Sequence, residues 1–64
     1  MSTQPLAYTL SEGSRYEVEV LGASGDPVYP IRVRSRCVAP FARDWQEFNT
    51  EAEWFRQRGL SVPA

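Results

Sequence analysis

Two alternating segments separated by a loop of turn-forming residues constrain the fold of this chain more than any other feature. In residues 15–21 the apolar positions alternate with two glutamates, and in residues 29–36 they alternate with three arginines. A period of two is typical of a strand with one buried and one exposed face. Residues 22–27 contain two glycines, Asp26 and Pro27, which favour turns. The pattern therefore predicts a β-hairpin.

The charges also suggest how the two strands are aligned. Antiparallel strands favour apolar residues facing each other and opposite charges directly across. One alignment satisfies both conditions and gives four facing pairs: Val20–Ile31, Glu19–Arg32, Val18–Val33 and Glu17–Arg34. In this register Arg36 faces Arg15, so Arg36 is expected to have no acidic partner within the hairpin.

The N-terminal part of the chain predicts a further strand. Leu6, Tyr8 and Leu10 alternate with Ala7 and Thr9, which indicates a short edge strand over these positions. The next four residues, Ser-Glu-Gly-Ser, are typical of a turn that leads into the hairpin.

The C-terminal third has two interpretations. Five apolar residues are spaced by four, three, four and three positions, as on one side of a long helix: Phe41, Trp45, Phe48, Ala52 and Phe55. Alternatively, Thr50 and Glu53 form a capping box, with a strand over residues 42–48 and a short helix over residues 51–58. We favour the strand and short helix, because Asn49 and Thr50 are poor residues for a helix interior. Gly59 is expected to end the helix in either case.

Together these elements predict an α+β fold, in which an antiparallel β-sheet of three or four strands carries one C-terminal α-helix packed on one face. The 64 residues are expected to form a single small domain, with flexible ends at residues 1–5 and 61–64. A chain of this size buries a small core, so its stability is expected to be marginal.

The composition supplies few groups for chemistry. The chain contains no histidine, no lysine and a single cysteine, Cys37, which alternates in phase with the buried side of its strand. These residues do not provide a nucleophile with its base or the usual ligands of a metal, and we predict no catalytic residue, metal or cofactor. No secretory signal and no run of apolar residues of membrane-spanning length is visible. We therefore expect a cytoplasmic protein that does not contact membranes.

The candidate binding residues are Arg32, Arg34 and Arg36 on one strand face, together with Trp54. The arginine stripe has two interpretations: a solvated face cross-linked to the neighbouring glutamates, or a surface that recognises carboxylates or phosphates. Trp54 lies about 100° around the helix from Phe55. It is expected either to cover the rim of the core or to anchor a partner, since tryptophan is enriched in interface hot spots.

The C-terminal half resembles a family of small phage anti-CRISPR proteins, which inhibit type I CRISPR surveillance complexes. The residues that carry the resemblance are Ala42-Arg43-Asp44-Trp45, Thr50 and Glu53-Trp54-Phe55. The resemblance extends over residues 8–58, although this chain has extra residues between Trp45 and Thr50. It implies a phage or mobile-element protein that blocks a host complex by occupying a surface. It assigns no individual contact residues to this chain.

The function expected from these features is that of a non-enzymatic inhibitor that binds a host protein or protein complex. The net charge of −1 and the glutamates beside the arginines make nucleic acid a less favoured partner. The alternatives are a small nucleic-acid-binding module and a structural or assembly component of a phage particle. The sequence leaves a homodimer open.

Overall fold

A computed structural model describes residues 6–63 and shows a four-stranded antiparallel sheet followed by one short helix. The elements, in chain order, are β1 (Leu6–Thr9), β2 (Arg15–Ala23), β3 (Ile31–Ala39), β4 (Gln46–Thr50) and α1 (Ala52–Gln57). The strands lie side by side in the order in which they follow each other along the chain. This arrangement confirms the predicted α+β fold with a C-terminal helix.

The register of the central hairpin differs by two residues from the predicted one. Val20 faces Val33 rather than Ile31, and Val18 faces Ser35 rather than Val33. A shift of two residues keeps every side chain on its predicted face, so the apolar pattern alone does not distinguish the two registers. The observed register is favoured electrostatically, because Arg36 now faces Glu17 and no longer Arg15.

The core lies on one face of the sheet, which we call the inner face. Val18, Val33 and Phe55 are fully buried, and Phe55 is the residue through which α1 packs on the two central strands. Partly buried apolar residues surround these three: Leu6, Tyr8, Val20, Ile31, Phe48, Trp54 and Leu60. The opposite, outer face of the sheet carries the charged residues of the alternating segments.

The beginning of the helix differs from the prediction. Thr50 is the last residue of β4, faces Ile31 in the ladder and is 5% exposed. The first helical residue is Ala52, preceded by Glu51 in an extended conformation with no side-chain capping hydrogen bond. The predicted capping box is therefore wrong, because the Thr50 side chain is buried by the sheet. The predicted strand does form, but at residues 46–50 rather than 42–48.

The end of the helix confirms the role predicted for Gly59. Gly59 has a φ of 70° and its N–H donates to the Arg56 carbonyl, while the Leu60 N–H donates to the Phe55 carbonyl. These two bonds form a Schellman motif, which requires a left-handed residue after the helix. The chain turns back toward the sheet at this point, where Val62 and Pro63 lie beside Leu6 and Val18.

The predicted flexibility of residues 1–5 concerns positions outside the described part of the chain, and that of residues 61–64 stays a prediction. Within residues 6–63, no helix has the length and apolar character needed to cross a membrane.

Candidate functional site

The outer face of the sheet brings together charged residues from three neighbouring strands. β2, β3 and β4 each place alternate side chains on this face, and their register aligns the charged positions in rows. We call this surface the charged face, and its members are Glu17, Glu19, Arg32, Arg34, Arg36, Trp45, Glu47 and Asn49. The three arginines predicted from the sequence therefore lie together, as expected.

Two ion pairs join β2 to β3 across the charged face. The Nε and Nη2 atoms of Arg36 donate to Oε1 of Glu17 at 3.0 and 2.8 Å. Arg34 Nε donates to Glu19 Oε2 at 2.8 Å, and its Nη2 lies 2.6 Å from the same oxygen. These pairings correct the predicted partners of both glutamates. They also correct the expectation that Arg36 lacks an acidic partner.

A third ion pair joins β3 to β4. Arg32 donates from Nη2 to Oε1 of Glu47 at 3.3 Å and from Nη1 to Oδ1 of Asn49 at 2.9 Å. Arg32 had been expected to pair with Glu19, but the observed register places it beside the neighbouring strand instead. Each of the three arginines therefore pairs with a different glutamate.

Trp45 underlies two of the arginines. The guanidinium carbons of Arg34 and Arg36 lie 4.4 and 4.5 Å from the centre of the Trp45 ring, within the range of cation–π interactions. Trp45 directly precedes β4, so its position follows from the pairing of β3 with β4. The sequence pattern alone did not predict this contact. The spacing of Trp45, Glu47 and Asn49 by two positions could have predicted that all three lie on one face of a strand.

The ion pairs between β2 and β3 on the charged face are partly exposed. The side chains of Arg34 and Glu19 are 36% and 30% exposed, and those of Arg36 and Glu17 are 39% and 32% exposed. Partly exposed pairs of this kind contribute only about 0.2–1 kcal/mol each to stability. They do, however, hold rotamer-rich side chains in place, which reduces the conformational entropy that these side chains still have to lose.

Trp54 lies on the other side of the sheet from the three arginines. Its ring packs edge-to-face against Phe48 at 5.5 Å, Phe55 at 5.0 Å and Tyr8 at 6.1 Å between ring centres. The Arg58 guanidinium carbon lies 4.3 Å from the Trp54 ring centre. Trp54 thus covers the rim of the core, and a direct role in partner binding stays a prediction. Tyr8 and Arg58, which complete this cluster, were not identified from the sequence.

Exposed apolar residues lie at both ends of β3. Phe41 is 73% exposed beyond its C-terminal end, and Val28 and Tyr29 are 63% and 48% exposed before its N-terminal end. The latter two belong to an ordered loop, in which the Val28 and Tyr29 N–H groups donate to Asp26 Oδ1 at 2.8 and 3.0 Å. These two hydrogen bonds lower the pKa of Asp26 below its ordinary value.

Cys37 lies on the inner face beside Tyr16, as its phase in the strand predicted. It is partly buried, and its thiol donates to the Ala39 carbonyl at 3.2 Å. The Cys37 sulfur beside Tyr16 raises the pKa of the Tyr16 phenol, with smaller contributions from burial and from Tyr8. Among residues 6–63, no cluster of three or more histidine, cysteine, aspartate or glutamate side chains is arranged to hold a metal ion.

Comparisons of the chain with protein-family models, with curated proteins and with solved structures give no match. The resemblance to the anti-CRISPR family therefore rests on the residues named above.

Proposed function

We propose that this protein is a non-enzymatic binding protein that recognises a protein partner through the charged face. The observation that carries this proposal is the pairing of Arg32, Arg34 and Arg36 with glutamates from both neighbouring strands. Paired side chains held in rows present donors and acceptors at fixed positions, which suits a complementary protein surface of mixed charge.

A nucleic-acid partner is less compatible with the same surface. Proteins that bind a phosphate backbone usually present an excess of positive charge. Here three glutamates stand among three arginines, and the chain as a whole has a net charge of −1. A phosphate backbone laid along the arginines would meet the carboxylates at similar distances, so the attraction would be largely offset.

The proposed mode of action is inhibition by occupying a surface of a host complex. The resemblance to the anti-CRISPR family supports a type I CRISPR surveillance complex as the target. The exposed apolar residues at the ends of β3 favour a protein interface as well, since such interfaces combine apolar contacts with a polar rim.

An exchange of charges between two paired residues tests the charged face while keeping those two residues paired with each other. In the double variant Glu17→Arg/Arg36→Glu, the two side chains still pair with each other, but the charges presented to a partner are reversed. We expect the variant to fold and its binding to a purified type I surveillance complex to weaken by roughly tenfold or more, as for loss of an interface hot spot. In cells with an active type I system, it should also fail to restore phage plaque formation.

The matched control exchanges an exposed ion pair away from the charged face, Glu53→Arg/Arg56→Glu on the helix, whose partners lie 3.5 Å apart. This variant should bind and inhibit like the unchanged protein. If the unchanged protein neither binds nor inhibits the surveillance complex, the proposed target is wrong. If the exchange at 17 and 36 folds and binds normally, the charged face is not the binding site. Tight binding of plain duplex DNA that falls steeply with salt would contradict the proposed class of partner.

A further inference from the structure

A second site lies on the inner face of the sheet, beside α1. A cavity of about 340 Å³ opens there, which is at the lower end of the volume range of roughly 300–1,000 Å³ that is usual for small-molecule pockets. Four of its eleven lining residues are aromatic, namely Tyr8, Tyr16, Phe48 and Trp54, and the others are polar or charged residues and Cys37. The Tyr8 and Tyr16 rings stack in parallel, with centres 5.2 Å apart. Each ring covers one face of the other, so a further ring can stack only on an outer face of this pair or meet its edges.

Arg58 contributes a positive charge to the wall of this cavity. Its guanidinium carbon lies 4.3 Å from the Trp54 ring centre and 5.5 Å from the Tyr8 ring centre, and Nη1 donates to the Trp54 carbonyl at 3.1 Å. The residue is partly buried. Its Nε atom is buried and has no hydrogen-bond partner within residues 6–63.

Arg58 differs from the arginines of the charged face in forming no ion pair with a described residue, although Asp44 lines the same cavity. Arg32, Arg34 and Arg36 each lie within 3.3 Å of a glutamate oxygen, whereas no ion pair joins Arg58 to another described residue. A partly buried cation without a counter-ion is costly, and the neighbouring ring faces offset only part of that cost. An anion in the cavity would supply the missing partner.

The other charged residues that line the cavity do not cancel the positive charge of Arg58. Arg43 and Asp44 both contribute to the wall, and their charges oppose each other. Arg36 also contributes, but Glu17 already matches its charge. The lining therefore keeps one net positive charge, and Arg58 is the lining arginine that contacts the Tyr8 and Trp54 rings.

We propose that this cavity binds a small aromatic carboxylate, whose ring lies against the tyrosines and whose carboxylate pairs with Arg58. Aromatic walls favour a planar apolar body, and a guanidinium favours a carboxylate through charge-assisted hydrogen bonds. The cavity lies on the opposite side of the sheet from the charged face and shares Arg36 with it, but the proposal goes beyond the proposed function and does not depend on it.

Three probe molecules of similar size test separately what the aromatic ring and the negative charge of the ligand contribute to binding. The protein is titrated with benzoate, with the neutral amide benzamide and with the non-aromatic cyclohexanecarboxylate. Binding is followed by nuclear magnetic resonance through the indole N–H of Trp54 and the Nε–H of Arg58. We expect saturable shifts with millimolar benzoate, and roughly tenfold weaker binding of benzamide, which lacks the charge. The affinity for cyclohexanecarboxylate should also be lower, because it cannot stack. Equal binding of all three, or no shift with benzoate, would overturn the proposal.

Arg56 provides a matched control on the same helix, because it pairs with Glu53 and does not line the cavity. Arg58→Gln should weaken benzoate binding by roughly tenfold or more, whereas Arg56→Gln should leave it unchanged. Arg58→Lys keeps the charge and is expected to retain part of the affinity, which covers the case in which the glutamine variant unfolds. Thermal melts establish which variants are folded. Equal losses in the Arg56 and Arg58 variants, or unchanged affinity in folded Arg58→Gln, would refute the assignment.

Discussion

Phe55 is the residue on which the attachment of the helix depends most. It is the only fully buried residue of α1 and packs against Val18 and Val33 of the two central strands. Replacement by alanine removes the ring from the centre of the core. Because β2, β3 and α1 meet around this side chain, the surrounding structure has little freedom to close the resulting cavity.

The expected loss in the free energy of unfolding is large compared with the total stability of the protein. Phenylalanine-to-alanine substitutions in a core usually destabilise a protein by about 3–5 kcal/mol. At about 0.05–0.15 kcal/mol per residue, a chain of 64 residues is expected to have a free energy of unfolding of about 3–10 kcal/mol. The substitution is therefore expected to remove at least about 30% of the stability, and all of it if the protein lies at the low end of this range.

Urea denaturation followed by tryptophan fluorescence measures this effect, since Trp54 lies 5.0 Å from the Phe55 ring. The control is Phe41→Ala, which makes the same chemical change at a side chain that is 73% exposed. It should alter the free energy of unfolding by less than about 0.5 kcal/mol. A loss below about 1.5 kcal/mol for Phe55→Ala, well under the usual cost, or equal losses for both variants, would refute the argument that the helix is held through Phe55.

Two further predictions concern the loop before β3 and the end of the helix. Because Asp26 has a lowered pKa in the folded state, its contribution to stability is complete above its ordinary pKa of 3.8 and is lost as the pH falls through the lower folded value. The amide resonances of Val28 and Tyr29 should therefore titrate with a midpoint below 3.8, and Asp26→Asn should abolish this titration; a midpoint at or above the ordinary value would contradict the prediction. A Cβ atom at Gly59 would meet no atom within 4 Å. Gly59→Ala should therefore lower the free energy of unfolding through the left-handed backbone alone, by about 1–2 kcal/mol. Gly59→Asn should cost less, because asparagine tolerates this conformation, and equal denaturation midpoints for all three proteins would exclude a backbone effect.

The types of the elements and the faces of the strands follow from the local sequence. The alternation around Val18 and Val33 identifies two strands and assigns their inner and outer sides, because a side-chain period of two has no other regular explanation. The local sequence distinguishes a long helix from a strand with a short helix less clearly, since Phe48 fits both patterns. The structure selects the strand because β4 pairs with β3, which is a contact between distant parts of the sequence.

The pairing within the site does not follow from the local sequence. Moving β3 by two residues along β2 exchanges one set of glutamate–arginine pairs for another, with no change in which face is apolar. A register shift between Val20 and Gly22 also interrupts the ladder, and no local pattern predicted it. Trp45 illustrates the same difficulty, because its spacing to Phe41 and Phe48 suggested a helix stripe, whereas its actual partners are Arg34 and Arg36.

The register shift between Val20 and Gly22 therefore affects the pairing of residues beyond its own position. Gly22 has a φ of 136°, which side-chain-bearing residues rarely adopt, and it lies where the pairing of β2 with β3 shifts by one residue. The strand beyond this point continues in the register that sets Glu19 opposite Arg34. Alternate side chains of β3 then point to opposite sides of the sheet: Arg34 and Arg36 form ion pairs on the charged face, while Ser35 and Cys37 line the inner cavity, to which Arg36 also contributes. A substitution on one face can leave the other face intact, but a change of register would displace both. The hairpin register is thus the structural feature on which the proposed protein-binding face and the proposed carboxylate site both depend.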